Sequence, residues 1–151
     1  VIYPLITLMQ DQVRSLQALG VRAAALNSQS EDSGSTIRAL QDGTLDLLYV
    51  APERALMEGF RTIIARVEIA LIAIDEAHCV SQWGHDFRPD YRALGPLKGL
   101  FRGVPRLAVT ATADARTRED ILAQLDLTDP SVHVASFDRP NLTLSAEPKA
   151  G

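Results

Sequence analysis

The sequence predicts an α/β domain in which a mostly parallel sheet is flanked by helices. Short apolar runs alternate along the chain with amphipathic stretches of helical period, which is the pattern of strands joined by crossover helices. The run Ile69–Ile74 is apolar throughout, as expected for a central parallel strand covered on both faces. The 151 residues, 46% hydrophobic and 23% charged, exclude collagen-like, coiled-coil and disordered chains. No apolar run approaches the roughly 20 residues of a membrane span, so no membrane partner is predicted.

The first third of the chain contains two predicted strands and a helix. A strand at Val1–Tyr3 stops at Pro4, because proline cannot donate to a sheet ladder. The helix Leu5–Leu19 follows from apolar residues at helical spacing, and Gly20 supplies its C-terminal stop. A short strand is then predicted at Val21–Leu26.

The following segment adds two helices around one strand. The helix Ser35–Asp42 is predicted to end at Gly43, and the apolar run Leu45–Val50 is predicted to be a strand. Pro52 then introduces a helix predicted over Glu53–Val67, since proline is tolerated in the first turn of a helix.

The next predicted element is the apolar strand Ile69–Ile74. Further strands are predicted at Arg106–Val109 and Val132–Ser136, on either side of a helix predicted at Ala115–Leu125.

Charge is distributed unevenly along the chain. The net charge is −4 with a pI of about 5.3, whereas nucleic-acid-binding domains tend to be basic. Residues 83–118 nevertheless contain seven Lys or Arg and three Asp or Glu, a local charge of +4 that leaves −8 on the remainder. The acid surplus therefore does not exclude a nucleic-acid partner.

Cys79 is the single cysteine, which excludes an intramolecular disulfide and suits a reducing compartment. Together with His78 and His85 it fits no usual zinc spacing, so no zinc site is expected. His133 falls in a predicted strand and is interpreted as a structural residue.

Three of the predicted strands are followed directly by small or polar residues. These junctions are Tyr49–Arg54, Ile74–Glu76 and Val109–Thr112. In open α/β sheets the ligand site lies beyond the carboxyl ends of the strands. The three junctions are therefore expected to line one edge of the sheet, where the chemistry should lie.

Two adjacent carboxylates, Asp75 and Glu76, directly follow the apolar strand, and His78 comes two residues later. Such a pair can divide the work of phosphoryl transfer, because one carboxylate holds Mg²⁺ while the other orients or deprotonates a water. In the simpler interpretation, the pair only ends the strand and caps the next segment. The apolar strand before it and the histidine after it weaken the simpler interpretation.

Aromatic and charged residues are interleaved after the acid pair. Trp83 and Phe87 alternate with His85, Asp86 and Arg88. Single-strand binding surfaces use this combination, since a base stacks on the ring while the cation holds phosphate. Alternatively, both rings lie buried under a loop, as aromatic residues often do. The residue chemistry leaves both interpretations open.

The segment DEAHCVSQWGHDFRPDY, which begins at Asp75, resembles motif II and the aromatic-rich loop of RecQ-family DNA helicases, members of helicase superfamily 2. Four more segments resemble motifs Ia, Ib and III and the passage toward the family's second domain: PLITLMQDQ from Pro4, YVAPER from Tyr49, TATA from Thr110 and SFDRPN from Ser136. The resemblance implies a RecA-like, mostly parallel sheet of the P-loop NTPase fold, incomplete at its N-terminus.

The resemblance also implies roles for individual residues. Asp75 would hold Mg²⁺ with the nucleotide, Glu76 would activate the attacking water, and His78 would link the nucleotide and DNA sites. The residues expected to couple the two sites are Thr110, Thr112 and Gln82. The residues expected to bind DNA are Trp83, His85, Phe87, Arg88, Pro52 and Arg54.

By the same resemblance, residues 1–137 would be part of the first RecA-like domain, and 138–151 would lead toward an absent second one in cis. The family's phosphate-cradling pattern G-x-x-x-x-G-K-[ST] occurs nowhere in the chain. The isolated chain is therefore expected to be inactive, and Val1 is expected to mark a cut in a longer parent protein.

For that parent, the resemblance implies ATP- and Mg²⁺-dependent 3′-to-5′ movement on single-stranded DNA and unwinding of forked DNA, in repair and recombination. It implies a cytoplasmic protein at the bacterial nucleoid, or a nuclear one in a eukaryote. Two alternatives remain: a truncated, non-catalytic module that binds DNA or a regulatory partner, and another superfamily 2 enzyme such as an RNA helicase.

The resemblance has a consequence for the sheet as well. In the family, the strand that feeds the phosphate loop lies between the motif III strand and the last strand, and it is missing here. Two strand edges would then lie unpaired within the core. Poor solubility, or a loosened strand at Val132–Ser136, is the expected result.

Overall fold

The computed structural model describes residues 1–28, 33–136, 140–143 and 145. The strands in these residues are β1 (Ala23–Leu26), β2 (Leu47–Val50), β3 (Ile72–Ile74) and β4 (Arg106–Ala108). The helices are α1 (Ile6–Ala18), α2 (Ser33–Gln41), α3 (Pro52–Ala55), α4 (Glu58–Ile64), α5 (Pro89–Arg92) and α6 (Ala115–Gln124). Two 3-10 turns cover Ala77–Val80 and Gly95–Gly99.

The described strands form two parallel pairs. Strands β1 and β2 pair with Ala23 opposite Leu47. Strands β3 and β4 pair with Ile72 opposite Arg106. Each parallel pair is separated in sequence by a long connection, as a parallel ladder requires.

The segment around Ile2 joins the two pairs into one sheet. Ile2 forms parallel bridges with Val50 on one side and with Ile74 on the other. Its N–H donates to the carbonyl of Ala73 at 2.8 Å, and its own carbonyl accepts from the N–H of Asp75 at 3.0 Å. The order across the sheet is β1, β2, the Ile2 segment, β3 and β4, which confirms the predicted mostly parallel sheet.

The core lies on both faces of this sheet. Ile2 and Val50 belong to the larger buried cluster, whereas Tyr3 and Tyr49 belong to a second one. This separation follows from the strand geometry, because successive side chains point to opposite faces. Buried Phe60 of α4 joins the larger cluster, and burial of such a side chain contributes roughly 1.5–3 kcal/mol.

Helix α1 covers the second face, and its limits agree with the prediction to within one residue. Met9 and Val13, four residues apart, are its buried positions, as helical periodicity requires. The helix ends at Leu19, and Gly20 then takes a left-handed conformation with φ of 85°. Glycine adopts that conformation at no steric cost.

The single helix predicted over Glu53–Val67 is wrong, because the chain forms two short helices there. Met57 lies between α3 and α4 with extended backbone (φ −67°, ψ 132°), which interrupts the helical hydrogen bonds. Ala55 before the break and Phe60 after it are both buried. The change of direction therefore allows both helices to contribute to the core.

The apolar strand is also shorter than the predicted Ile69–Ile74. Its ladder begins at Ile72, whose N–H donates to the carbonyl of Pro105 at 3.0 Å. Leu71 is 50% exposed. Strand β3 is therefore covered on both faces only near its carboxyl end, where the acid pair follows.

The predicted strand at Val132–Ser136 is wrong. These residues form no strand in the described chain, and Val132 and Val134 are 54% and 61% exposed. Alternating valines are not sufficient, since a strand also needs a neighbouring edge for its backbone groups. Leu107 of β4 and Val109 are exposed as well. The segment therefore adds no strand to the described part of the sheet.

No helix among the described residues is both long and apolar enough to cross a membrane. The predicted boundary between residues 137 and 138, and the centre of the SFDRPN passage, lie outside the described residues.

Candidate active site and nucleic-acid interface

The backbone at the end of β3 is held from three sides. The N–H of Asp75 donates to the carbonyl of Ile2 at 3.0 Å, and the N–H of Ala77 donates to the carbonyl of Val109 at 2.9 Å. The fully buried hydroxyl of Tyr91 donates to the carbonyl of Asp75 at 3.0 Å. Burial raises the pKa of Tyr91, so that hydroxyl stays protonated and available as a donor.

Glu76 makes the turn that presents the two carboxylates at the sheet edge. Its backbone is left-handed, with φ of 51° and ψ of 43°, which costs of order 1–3 kcal/mol for a residue other than glycine. Its N–H donates to Oδ1 of Asp75 at 2.8 Å. Both residues are half-buried. The strained turn and its hydrogen bond fix the acid pair where the sequence predicts chemistry.

His78 connects the acid pair with the segment that follows β4. Its Nδ1 forms a hydrogen bond of 2.7 Å with Oγ1 of Thr110 and lies 3.4 Å from Oε2 of Glu76. The imidazole is only 4% exposed. The predicted meeting of the Ile74–Glu76 and Val109–Thr112 junctions is confirmed by these contacts.

A second histidine extends the connection outward. The ring of His85 stacks on that of His78 with centroids 4.4 Å apart, and Nδ1 of His85 lies 3.4 Å from Oγ1 of Thr112. Burial first, and then His85, lower the pKa of His78, although Glu76 and Asp86 act in the opposite direction. The His78 ring is therefore neutral at neutral pH.

A tight turn places the aromatic loop against His78. The buried Ser81 accepts from the N–H of Trp83 at 3.1 Å through its hydroxyl oxygen. A Cβ on Gly84 would lie 2.6 Å from the carbonyl oxygen of His78, so only glycine fits this approach. Gln82, predicted to couple the two sites, is exposed and forms no hydrogen bond with a described residue.

Each aromatic ring of the loop lies beside an arginine. The guanidinium carbon of Arg116 is 3.2 Å from the ring centroid of Trp83, and that of Arg92 is 5.3 Å from the centroid of Phe87. Trp83 is 54% exposed, while Phe87 is half-buried. Burial under a loop is therefore wrong for Trp83.

The remaining residues predicted to bind DNA lie in different surroundings. Arg88 is paired with Asp86 at 3.2 Å. Pro52 is buried in the first turn of α3, and Nε of Arg54 is buried without a hydrogen-bond partner. Within the described residues, no hydrogen bond joins Pro52 or Arg54 to the segment Asp75–His78.

The acid pair has the chemistry that Mg²⁺ requires. Carboxylate oxygens are ligands that this ion prefers, and one protein carboxylate with nucleotide phosphates is sufficient. Asp75 and Glu76 lie half-buried at the carboxyl end of β3, so they fit the ion. The residues do not fit a triphosphate in the same way, because the chain contains no G-x-x-x-x-G-K-[ST] loop.

Three other potential metal ligands meet behind the acid pair. Donor atoms of His78, Cys79 and Asp86 lie within 4.8 Å of one another. Burial raises the pKa of the Cys79 thiol to about 11, which opposes the thiolate form that binds metal. Asp86 is also paired with Arg88. In the metal-free chain, Cys79 is therefore a thiol and Asp86 is engaged by Arg88.

Two residues that shape the site received no role from the sequence, Tyr91 and Arg116. Tyr91 is the last residue of the segment that resembles motif II and the aromatic-rich loop. Arg116 is one of the seven basic residues in the stretch 83–118. Their contacts with Asp75 and Trp83 cross the fold. Sequence spacing carries no signal for such contacts.

Comparison with known proteins identifies the family. The profile described as DEAD/DEAH box helicase matches residues 1–121. The chain is 51% identical over 144 residues to "ATP-dependent DNA helicase RecQ" of Pasteurella multocida, covering 94% of the chain and 23% of that protein. It is 49% identical to the Haemophilus influenzae protein of the same name, covering 99% and 24%. It is 43% identical to "RecQ-like DNA helicase BLM" of Xenopus laevis, covering 99% and 12%.

The chain spans a quarter or less of the length of these relatives. A DEAD/DEAH helicase domain implies the RecA-like fold, and the parallel order of the sheet agrees with it. The chain therefore belongs to the DEAD/DEAH box helicase family, and the relatives that it matches are RecQ helicases, the group that its motifs resemble.

Proposed function

We propose that the chain provides the catalytic acid pair and the DNA-sensing loop of an ATP-dependent DNA helicase of the RecQ type. The observation that carries this proposal is the 2.7 Å hydrogen bond between His78 and Thr110, extended by the ring of His85. Together they connect the turn at Glu76 with the loop that holds Trp83. A motor driven by ATP needs such a connection, because DNA binding must change the hydrolysis of the nucleotide.

The acid pair accounts for the nucleotide side of the proposal. When bound with a nucleoside triphosphate, Mg²⁺ neutralises charge on the phosphoryl oxygens. Asp75 would hold that ion through its carboxylate. Glu76 would orient a water and accept its proton, and its carboxylate lies 3.4 Å from the buried ring of His78. A change at His78 would thereby reach the group that activates the water.

The phosphate contacts are assigned to other parts of the gene product. The 151 residues contain no phosphate-cradling loop, so their own groups offer no cradle for a triphosphate. The proposal therefore assigns no ATP turnover to the chain alone. It assigns the cradle, and the arginine that stabilises charge in the transition state, to further segments that include a second RecA-like domain in cis.

The DNA side of the proposal uses the exposed ring of Trp83 and the basic stretch 83–118. An aromatic ring beside cations binds single strands with little sequence preference, and Trp83 is 54% exposed. Arg54, whose buried Nε has no hydrogen-bond partner in the described residues, is the second basic residue that the proposal assigns to DNA binding. Forked DNA as a substrate, 3′-to-5′ direction, action in repair and recombination, and a nucleoid or nuclear location follow the resemblance to RecQ helicases.

A non-catalytic DNA-binding module is the second candidate. The missing phosphate loop favours it, together with the exposed ring of Trp83. Both candidates predict binding to single strands, and they differ in whether the complete gene product hydrolyses ATP.

Two assays on the chain test the proposal. Hydrolysis of radiolabelled ATP in the presence of single-stranded DNA should not exceed that of the Glu76→Gln control. Anisotropy of a labelled oligothymidylate should report binding that weakens with salt and with Trp83→Ala. Leu71→Ala, at the opposite end of β3, is the matched control and should leave the affinity unchanged. No binding at low salt would remove the DNA-sensing role, and DNA-stimulated turnover above the Glu76→Gln control would contradict the inactivity.

A further inference from the structure

Arg116, the second residue of α6, lies on the indole ring of Trp83. Its guanidinium carbon is 3.2 Å from the ring centroid, well within the roughly 6 Å range of a cation–π contact. Both residues are exposed. The contact therefore joins the aromatic loop to the helix that follows β4, on the surface of the protein.

Hydrogen bonds from Thr117 first, and then the charges of Arg118 and Arg116, lower the pKa of the Asp114 carboxylate, but Arg116 forms no direct ion pair with it. On the same surface, Arg88 is paired with Asp86 and Arg92 with Asp120. Among the described residues, Arg116 forms no ion pair. Its five N–H donors, apart from their contact with the ring, thus remain available to an anion.

Both partners are held by their own backbones. The N–H of Trp83 donates to Oγ of Ser81 at 3.1 Å. At the start of α6, the carboxylate of Asp114 accepts from the N–H of Thr117 at 2.8 Å and caps the helix. These two hydrogen bonds therefore hold the backbone on both sides of the contact between the indole ring and the guanidinium.

The guanidinium covers only part of the indole. Trp83 is still 54% exposed with Arg116 against its ring. A base can stack on the open part of the ring, while the guanidinium beside it binds the adjoining phosphate. Arginine adds to single-strand binding through both of these interactions.

From this geometry, we infer that Arg116 is a further single-strand-binding residue, which holds the indole of Trp83 for base stacking and contacts the phosphate next to the stacked base. The inference rests on the proposed DNA-binding function. It identifies the ligand as a single-stranded nucleic acid bound through one base plane and one phosphate, without base-edge recognition.

Trp83 is the single tryptophan of the chain, so its emission reports directly on the ring. Oligothymidylate should quench that emission in the unmodified chain. Arg116→Ala should weaken binding about fivefold, and it should reduce the slope of log affinity against log salt by about 0.7, the value for one phosphate contact on a single strand. Arg116→Lys should keep the slope and lose part of the affinity, because an ammonium does not stack as a planar guanidinium does.

Arg61→Ala is the matched control, since Arg61 is exposed, lies in α4 outside the basic stretch and contacts no aromatic ring in the described residues. It should change neither the emission nor the affinity at the ring. Circular dichroism confirms that each variant is folded. Unchanged or tighter binding by Arg116→Ala, with Trp83→Ala still weakened in an anisotropy assay, overturns this inference alone. No binding by the unmodified chain at low salt overturns the proposed function and the inference with it.

Discussion

The hydrogen bond of 2.7 Å between Nδ1 of His78 and Oγ1 of Thr110 joins the segments that follow β3 and β4. The ring of His78 is almost fully buried, so water does not compete for this contact. The same ring touches the carboxylate of Glu76 on one side and the ring of His85 on another. A change at this imidazole therefore alters contacts with both the acid pair and the aromatic loop.

Thr110→Val should destabilise the protein because it removes the 2.7 Å partner of the buried Nδ1 of His78 and leaves that nitrogen with only the longer contact to Glu76. The expected loss in the free energy of unfolding is roughly 1–3 kcal/mol, measured by urea denaturation. Thr110→Ser keeps the hydroxyl and should lose much less. Equal stability of the Val and Ser variants would show that the hydroxyl contributes nothing.

Acidification should destabilise the protein through His78. Burial, and then His85, lower its pKa from the ordinary value of 6.5. A base with a lower pKa in the folded state takes up its proton more readily on unfolding. Its stabilising contribution is therefore complete above pH 6.5 or so and declines as the pH falls toward the lowered value.

The measurement is the free energy of unfolding from about pH 7.5 down to about pH 5.5, above the range where carboxylates titrate. His78→Gln should reduce the dependence, since glutamine does not titrate. The remaining dependence includes the buried amino group of Val1, whose pKa burial lowers to about 6. A slope that is identical in the two proteins would assign the pH dependence to other groups.

Gly84→Ala should disturb the aromatic loop. The added Cβ would lie 2.6 Å from the carbonyl oxygen of His78, a contact that the backbone must move to relieve, at a cost of roughly 1–3 kcal/mol. Gly59→Ala is the control, because Gly59 lies in α4 with open space around it. That change should stabilise the protein by up to about 1 kcal/mol. Thermal unfolding measures the stability of the two variants. Equal melting temperatures would contradict the close approach of Gly84 to the carbonyl oxygen of His78.

Tyr91→Phe should loosen the backbone that carries the acid pair. It removes the hydroxyl that donates to the carbonyl of Asp75, which leaves that carbonyl with one partner fewer in a buried setting. The expected loss is roughly 1 kcal/mol, read from denaturant unfolding. Tyr49→Phe serves as the control, since the Tyr49 ring packs edge-on against Tyr3 and its hydroxyl forms no hydrogen bond with a described residue. A smaller loss in the free energy of unfolding for Tyr91→Phe than for Tyr49→Phe would contradict a stabilising hydrogen bond between Tyr91 and Asp75.

The elements near α1 could be predicted from the sequence because their signals are local. Met9 and Val13 recur at helical spacing, and Gly20 ends the helix through its own backbone freedom. The sheet edge is predictable for a similar reason. Parallel strands end on the same side, so the polar residues after β3 and β4 had to meet.

The failures all concern features that depend on neighbours. The break at Met57 depends on tertiary packing, because it allows both Ala55 and Phe60 to be buried in the core. The valines at 132 and 134 have strand-like alternation, but they pair with no described strand. Leu71 lies in an apolar run and is half exposed because the ladder starts one residue later.

The site residues also divide into those whose position follows from the local sequence and those whose contacts depend on the folded chain. The position of Asp75, Glu76 and His78 at one sheet edge could be predicted from residue order, because they directly follow a predicted strand. Tyr91 and Arg116 could not, because their partners lie 16 and 33 positions away, at distances that only the folded chain sets. The exposure of Trp83 also depends on the folded chain, because its sequence pattern is compatible with both an exposed and a buried ring.

The central claim is that His78 couples DNA binding at the aromatic loop to hydrolysis at the acid pair. The most direct test is the rate of ATP hydrolysis by the complete gene product, with and without single-stranded DNA, for the unmodified protein, Glu76→Gln and His78→Ala. We predict that Glu76→Gln loses hydrolysis in both conditions, whereas His78→Ala keeps basal hydrolysis and single-strand affinity but loses the stimulation by DNA. Full stimulation of His78→Ala by DNA would contradict the account.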